Sequence, residues 1–355
     1  MSTEVGIWLS FEVRGAPVQV EVAPLGAGPF AAKTSRFAIS YRCEGARNPI
    51  DSLVGMDLCR RVAQRVAQNE ERVADLLARA ARESPAEDKR IREVRVESLL
   101  EPASHGAEQF YKLSPYVGCL IGCRYCYAQT PLRFLRRLEA LPDVPWGSYV
   151  DARINAAEVL RLELDRLPPR PIKFCPILSD PYQAVEARYG LTRACLEAIR
   201  DAKEIWPTLV LTRGKLVTRD ADLFASLAQA WVGASIPTED DEVRRHFEPR
   251  AASIPERFAA LAALRSAGAR TFAVVQPILP GSIEALADRL AEAVSSVSID
   301  VLRGEEHAGT DFDDPRYAVS RTNEWQRARA VELASALASR GIPTWPGELP
   351  PELLR

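Results

Sequence analysis

Three cysteines fall within eight residues, in Ser114-Pro115-Tyr116-Val117-Gly118-Cys119-Leu120-Ile121-Gly122-Cys123-Arg124-Tyr125-Cys126-Tyr127-Ala128. Pro115, Gly118 and Gly122 predict a loop, and a loop lets three thiolates converge on one small object. Thiolates at such short spacings hold iron–sulfur clusters. Three ligands in place of four leave one iron open, which is what a substrate-binding cluster requires. The rival is zinc. Structural zinc closes with four Cys or His ligands in C-x2-C-type pairs, whereas here no second pair lies nearby and His105 is the one histidine close in sequence. Cys43, Cys59, Cys175 and Cys195 are scattered singly and read as small buried hydrophobes.

The elements that must carry this loop follow from periodicity. Beyond the cysteines, apolar strands alternate with single helices. Ile172 to Leu178 precedes a helix from Thr192 to Ala202, with Thr192 as its N-cap. Thr208 to Thr212 precedes Asp220 to Ala230, Trp231 to Ile236 precedes Pro255 to Ala267, and Thr271 to Val275 precedes Ile283 to Ala293. Val297 to Leu302 follows. Repeated βαβ units mean a parallel sheet or barrel. With one more strand just before the cysteines, around Phe110 to Leu113, the count is near six. The fold class is therefore α/β, a partial (β/α)6 TIM-type barrel, with chemistry expected at the C-terminal ends of its strands.

Residues 4 to about 45 read differently. Ile7 to Val13 and Val18 to Val22 alternate apolar with polar around the turn Arg14-Gly15-Ala16-Pro17, and Phe37 to Tyr41 offers a third strand. From Leu53 to Ala81 the spacing is helical, with Leu58, Val62, Val66, Val73 and Leu77 on one face. Glu83 to Lys89 reads as a linker. The expected organisation is a small β-plus-helix module over residues 1–100, a core over 101–305, and a C-terminal helix with a Pro-rich tail over 306–355. The module is expected to cap the core, with strand-edge capture of a peptide as the alternative. The tail, Pro343 to Arg355 with Trp345, is expected to cover the barrel mouth or hang free.

The chain has 355 residues, 47 % hydrophobic and 26 % charged, with a net charge of −2 and a pI near 6.1. That balance disfavours an obligate nucleic-acid binder. No run of about 18 apolar residues occurs, and the N-terminus lacks a basic-then-apolar signal, so the expected location is the cytoplasm with no membrane partner.

C-x3-C-x2-C with an aromatic before the last cysteine, here Tyr125, resembles the signature of the radical S-adenosylmethionine (SAM) superfamily. The resemblance implies that Cys119, Cys123 and Cys126 bind three irons of a [4Fe–4S] cluster while SAM chelates the fourth. A narrower resemblance, over about Phe110 to Ser282, is to the spore photoproduct lyase-like (DNA-repair photolyase-like) subfamily. It is carried by the cysteine loop and by Ser179-Asp180-Pro181-Tyr182-Gln183, Leu191-Thr192-Arg193, Arg219-Asp220, Glu248-Pro249-Arg250 and Pro277-Ile278-Leu279-Pro280-Gly281. It implies that Tyr125 belongs to the cofactor site and that Ser179 and Asp180 stand where the SAM amine is contacted. It implies further that Arg213 lies near the SAM carboxylate and Ser235 near the ribose or carboxylate. Glu248 and Arg250 are second-tier and could form a salt-bridged surface pair.

One position departs from the pattern. The photoproduct lyases use a cysteine two residues before this serine as hydrogen-atom donor, and Ile177 stands there; Cys175 lies about 7 Å further back along a strand. The resemblance therefore implies a radical enzyme that cleaves SAM reductively to a 5′-deoxyadenosyl radical, supplied by an external one-electron donor of the flavodoxin or ferredoxin type. The substrate expected is a small molecule or peptide. The alternatives are a DNA-lesion repair lyase, to which the basic run Arg133 to Arg137 would be suited, a peptide-modifying enzyme, and a non-enzymatic iron–sulfur or zinc protein. No cysteine pair follows residue 195, which speaks against auxiliary clusters.

Overall fold

Alternation of apolar and polar residues sets the first sheet. The structure, a computed structural model, describes residues 7–13, 16–25, 31–43, 49–74, 91–139, 141, 144–174, 178–302, 312 and 314–353. Strands β1 (Ile7–Val13) and β2 (Ala16–Pro24) pair antiparallel with Leu9 opposite Val20 and Phe11 opposite Val18. β3 (Ala32–Lys33) and β4 (Phe37–Cys43) complete the order β1-β2-β4-β3. One face of this sheet, with Val18, Val20, Val22 and Ile39, packs under Leu58, Val62 and Val66, which recur every four residues on the helix Pro49–Ala67. These elements belong to one of two compact units, Met1–Asp88 with Arg133–Asp143; the other is Lys89–Leu132 with Val144–Arg355. The expected linker Glu83 to Lys89 and the end of the expected helix, beyond residue 74, lie outside the described residues.

The second unit is built on parallel strands. After β5 (Ile91–Val94) and β6 (Glu101–His105) come β7 (Glu108–Leu113), β8 (Tyr116–Val117) and β9 (Val150–Arg153). β10 (Ile172–Phe174), β11 (Thr208–Thr212), β12 (Ala230–Ser235), β13 (Arg270–Val275), β14 (Ser296–Ile299) and β15 (Thr344–Trp345) follow. The large sheet has the order β15-β14-β13-β12-β11-β10-β7-β6, and β5-β9-β8 form a small one. β7, β10, β11, β12, β13 and β14 run parallel, each beside the next, and are the six strands of a partial TIM barrel. β6 adds antiparallel at one edge and β15 parallel at the other. Every residue of β11 and β12 is buried, as strands covered on both faces must be.

Caps set the helix starts, and Ile283 to Ala293 is helical as expected. Ser253 and Glu256 form a capping box at the start of Ile254–Ser266, Ser282 caps Ile283–Ala293, and Thr322 caps Asn323–Ser339. Thr192 is no cap: the helix Leu191–Arg200 begins before it, and its hydroxyl donates to the Pro181 carbonyl at 2.6 Å. The expected helix from Asp220 to Ala230 is a 3-10 turn, Lys215–Asp220, followed by the short helix Ala221–Ser226.

The tail does something the sequence did not suggest. Phe110, Leu209, Leu211, Trp231 and Phe272 point into the barrel and meet Trp345, Leu349 and Leu353 there. The indole N–H of Trp345 donates to Ser296 Oγ at 3.2 Å. The C-terminal segment thus enters the barrel and packs its interior. No helix among the described residues is long and apolar enough to cross a membrane.

Candidate active site

The cysteine loop leaves the C-terminal end of β7 and is pinned from four sides. Gly118 N–H donates to Leu178 O (3.0 Å), Arg124 N–H to Phe247 O (2.9 Å), Leu120 N–H to Gln183 Oε1 (2.8 Å) and the Trp146 indole to Cys123 O (3.1 Å). Cys119 and Cys123 are buried with Tyr125, Phe247 and Phe312 in one cluster, and Cys126 is partly buried beside them. Burial pushes the Cys119 thiol up to about 12, with the Asp180 charge adding to it. Burial likewise raises Cys123 and Cys126. Thiols so placed become thiolates only beside a strong positive charge, such as a metal centre brings. Among the described residues no three Cys, His, Asp or Glu side chains are grouped as for a single metal ion.

Glycine is required at the first of these pins. Gly118 has φ +85°, and a Cβ there would lie 2.7 Å from Tyr149 O and 2.8 Å from its ring. Gly118→Ala is expected to lower stability by about 2 kcal/mol, read as a lower urea midpoint. An unchanged midpoint would mean that the loop refolds around the methyl at no cost.

Behind Tyr125 stands a buried ionic network. Glu248 is fully buried and receives Arg213 Nε at 2.7 Å, together with the Arg257 guanidinium and the Tyr125 hydroxyl. Burial works against its charge, but Arg257, Arg213 and Tyr125 outweigh it and hold the carboxyl below its usual range. The expectation of a surface pair with Arg250 is thereby corrected for Glu248, while Arg250 is exposed. Its guanidinium lies across Gly122 and Gly147, where a Cβ on either glycine would come within 2.4 Å and 2.1 Å of it.

Ser179 and Asp180 stand one layer back. Ser179 Oγ donates to Gly118 O at 2.7 Å. Asp180 accepts from the Arg213 amide (2.7 Å), the Tyr182 amide (2.9 Å) and the Thr212 hydroxyl (2.5 Å). Burial nevertheless raises its pKa. Neither residue lines the cavity described next. Cys175 and Ile177 lie outside the described residues. Arg193, Arg219 and Asp220 are braces: Arg193 bonds Asp220 at 2.9 Å, and Arg219 bonds Glu186 at 2.6 Å. Glu186 in turn accepts the Tyr116 hydroxyl at 2.5 Å.

A cavity of about 570 Å³ opens onto the loop, within the usual range for small-molecule sites. Cys123, Tyr125 and Cys126 reach it from the loop, Arg213 from the end of β11 and Ser235 from the end of β12. The Ser235 hydroxyl is buried and has no hydrogen-bond partner among the described residues. The structure therefore brings together two of the three cysteines, Tyr125, Arg213 and Ser235 on one cavity. It also adds Lys112 and Lys173 from the strands, Asp300 from just beyond β14, and Trp345 and Glu348 from the tail. Strand alternation could have found the two lysines, each lying between residues that face the helices. Nothing local signals Glu348 or Arg257.

Comparison with known proteins bears on this arrangement. The family model described as the radical SAM superfamily matches residues 113–294. An uncharacterized protein of Methanocaldococcus jannaschii is 29 % identical over 177 residues, 49 % of this chain and 62 % of that protein. One of Mycobacterium tuberculosis is 33 % identical over 174 residues, 48 % of this chain and 50 % of that protein. The radical SAM Nα-GlyT isomerase of Pseudomonas phage M6 is 27 % identical over 170 residues, 48 % of this chain and 33 % of that protein. The chain thus matches only part of these relatives, from 33 % to 62 % of their length. Spore photoproduct lyase complexed with dinucleoside spore photoproduct superposes with a TM-score of 0.53 at 18 % identity, over 72 % of this chain and 82 % of that one. That is a likeness of fold.

Proposed function

The chain belongs to the radical SAM superfamily, and from that premise we propose that it is an enzyme using a [4Fe–4S] cluster and SAM to take a hydrogen atom from a small-molecule or peptide substrate. The observation that supports this reading is the meeting on one cavity, at the C-terminal end of a parallel half-barrel, of two cysteines of the three-thiol loop and the enclosed Ser235 hydroxyl, which has no hydrogen-bond partner among the described residues.

The residues fit the cofactors on their own chemistry. Cys119, Cys123 and Cys126 supply three soft ligands from one loop, and Ser235 leaves a buried polar atom for a ligand to satisfy. When bound, the cluster supplies the electron that cleaves SAM to the 5′-deoxyadenosyl radical, chemistry no side chain here can provide. Arg213 has its Nε committed to Glu248, which fixes the guanidinium plane, and its terminal N–H groups would be the ones to hold the SAM carboxylate. Tyr125 holds the loop to the Glu248 carboxylate through its hydroxyl. Ser179 and Asp180 are positioning residues in this reading. Ser179 holds the Gly118 carbonyl beside Cys119, and Asp180 holds the Arg213 amide, so the two ends of the cofactor site keep their spacing. Leu211, Phe272 and Val274 line the cavity with apolar surface that excludes water from a reactive intermediate. In the cell, the cytoplasm is the proposed setting and an external one-electron carrier the proposed partner.

The test is anaerobic reconstitution with iron and sulfide, addition of SAM and a strong reductant, and detection of 5′-deoxyadenosine by mass spectrometry. Nucleoside formed in proportion to cluster content is the expected result. A protein that takes up zinc and never assembles a cluster would overturn the reading.

A further inference from the structure

The cavity's charge points to what it takes. Lysine occurs at six positions of the sequence, among 46 basic residues, yet two of the six stand side by side inside the barrel. Lys112 on β7 and Lys173 on β10 are register partners on adjacent parallel strands, and both line the cavity. Neighbouring strands lie about 4.8 Å apart, so the two stems run alongside each other and their ammonium groups repel unless acids separate them. The tail provides one acid. Glu348 forms an ion pair with Lys173, which is 6 % exposed, and Glu348 is itself held by its own amide donating to Glu108 Oε2 at 2.9 Å.

Lys112 has no such partner: among the described residues its side chain makes no hydrogen bond or ion pair. Glu101, exposed, lies opposite it in the β6–β7 register, and no ion pair joins the two among the described residues. Arg213 is bound to Glu248, and Asp300 receives the Gln276 amide at 3.1 Å and the Val301 amide at 2.8 Å, neutral donors that fix it in place. Lys112 is therefore a cation that faces the cavity with no ion pair among the described residues, together with the apolar side chains of Leu211, Phe272 and Val274.

We propose that the cavity takes a substrate bearing an anionic group, a carboxylate or a phosphate, that ion-pairs with Lys112 while its apolar body lies over these residues; the word substrate rests on the enzyme reading above. A lysine, as a compact point charge on a flexible stem, suits either anion. Glu348 sets the number of anionic charges accepted, because it neutralises the neighbouring lysine.

The experiment uses the full-length reconstituted protein with its lysines reductively methylated with carbon-13, which preserves their charge and gives six resolvable side chains. Lys112→Arg and Lys173→Arg assign the two barrel signals. Inorganic phosphate and acetate are titrated separately at constant ionic strength. The Lys112 signal is expected to shift saturably, at concentrations about tenfold below those that move the surface residue Lys203. A response to phosphate alone identifies a phosphoryl group, and to acetate alone a carboxylate. Glu348→Gln is expected to bring Lys173 into the response and to tighten anion binding about fivefold. Lys112 moving no earlier than Lys203 would overturn the proposal. So would a Lys112 signal that responds to SAM alone, since the lysine would then serve the cofactor's own carboxylate. Formation of 5′-deoxyadenosine by the wild type is read separately, so failure of this proposal and failure of the enzyme reading remain distinguishable.

Discussion

Cys119→Ala, Cys123→Ala and Cys126→Ala are each expected to lose cluster iron and to reduce 5′-deoxyadenosine formation to the protein-free background, while Cys195→Ala keeps both. All four cysteines are buried or nearly so, and burial raises all four thiols, so exposure and acidity do not separate them. What separates them is position. Cys195 lies on the helix Leu191–Arg200, packed among aliphatic side chains of the main core. The other three share a loop whose backbone is fixed by Leu178, Gln183, Phe247 and Trp146. Removing one of three ligands leaves a cluster with two protein attachments, too few to hold its open iron in place. The measurement is iron and sulfide per chain, the visible absorption of the reconstituted protein, and nucleoside yield. Equal iron in Cys123→Ala and in the wild type would sink the ligand assignment even if activity fell.

The second large effect is on stability. Glu248→Ala is expected to cost about 3–5 kcal/mol, because it leaves the guanidinium of the 1 % exposed Arg257 and that of Arg213 buried without their shared counter-charge. Glu248→Gln should lose less, since its amide oxygen still accepts from Tyr125 and one arginine. The same carboxylate gives a pH dependence with a definite sign. Its folded pKa lies below the ordinary value of 4.5, so its contribution is complete above pH 4.5 and is lost as pH falls through the depressed folded value. Urea unfolding of the wild type and of Glu248→Gln at pH 7 and at pH 4 checks this. The gap between them should narrow at the acid end, and a gap that widens there would contradict the assignment. By contrast, the exposed pair Lys215–Glu256 is expected to contribute little.

The narrow use of family-pattern residues also becomes clear in three dimensions. Tyr125, Arg213 and Ser235 reach the cavity, whereas Asp180, Arg193, Arg219 and Asp220 serve as braces that hold the ends of β10 and β11 and the following helices in register. A brace and a ligand contact look alike in sequence, because both are polar residues directly after a strand.

Much of the protein was nevertheless legible in its residues alone. Period-two alternation predicts β1, β2 and β4. Apolar runs separated by single helices predict the six parallel strands, and Pro115, Gly118 and Gly122 predict that the cysteine segment is a loop. These signals are local, each contained within about a dozen residues, and the backbone responds to them locally. Tertiary structure alone decided the rest. Tyr125 finds Glu248 at a distance of 123 residues along the chain, and Lys173 finds Glu348 at 175. Trp345, expected in a tail that covers the barrel mouth or hangs free, packs inside the barrel because the inward faces of Phe110 and Phe272 leave apolar surface that only a distant segment can cover. The partner of a buried charge or of an apolar face is chosen by proximity after folding, and no spacing along the chain records that choice.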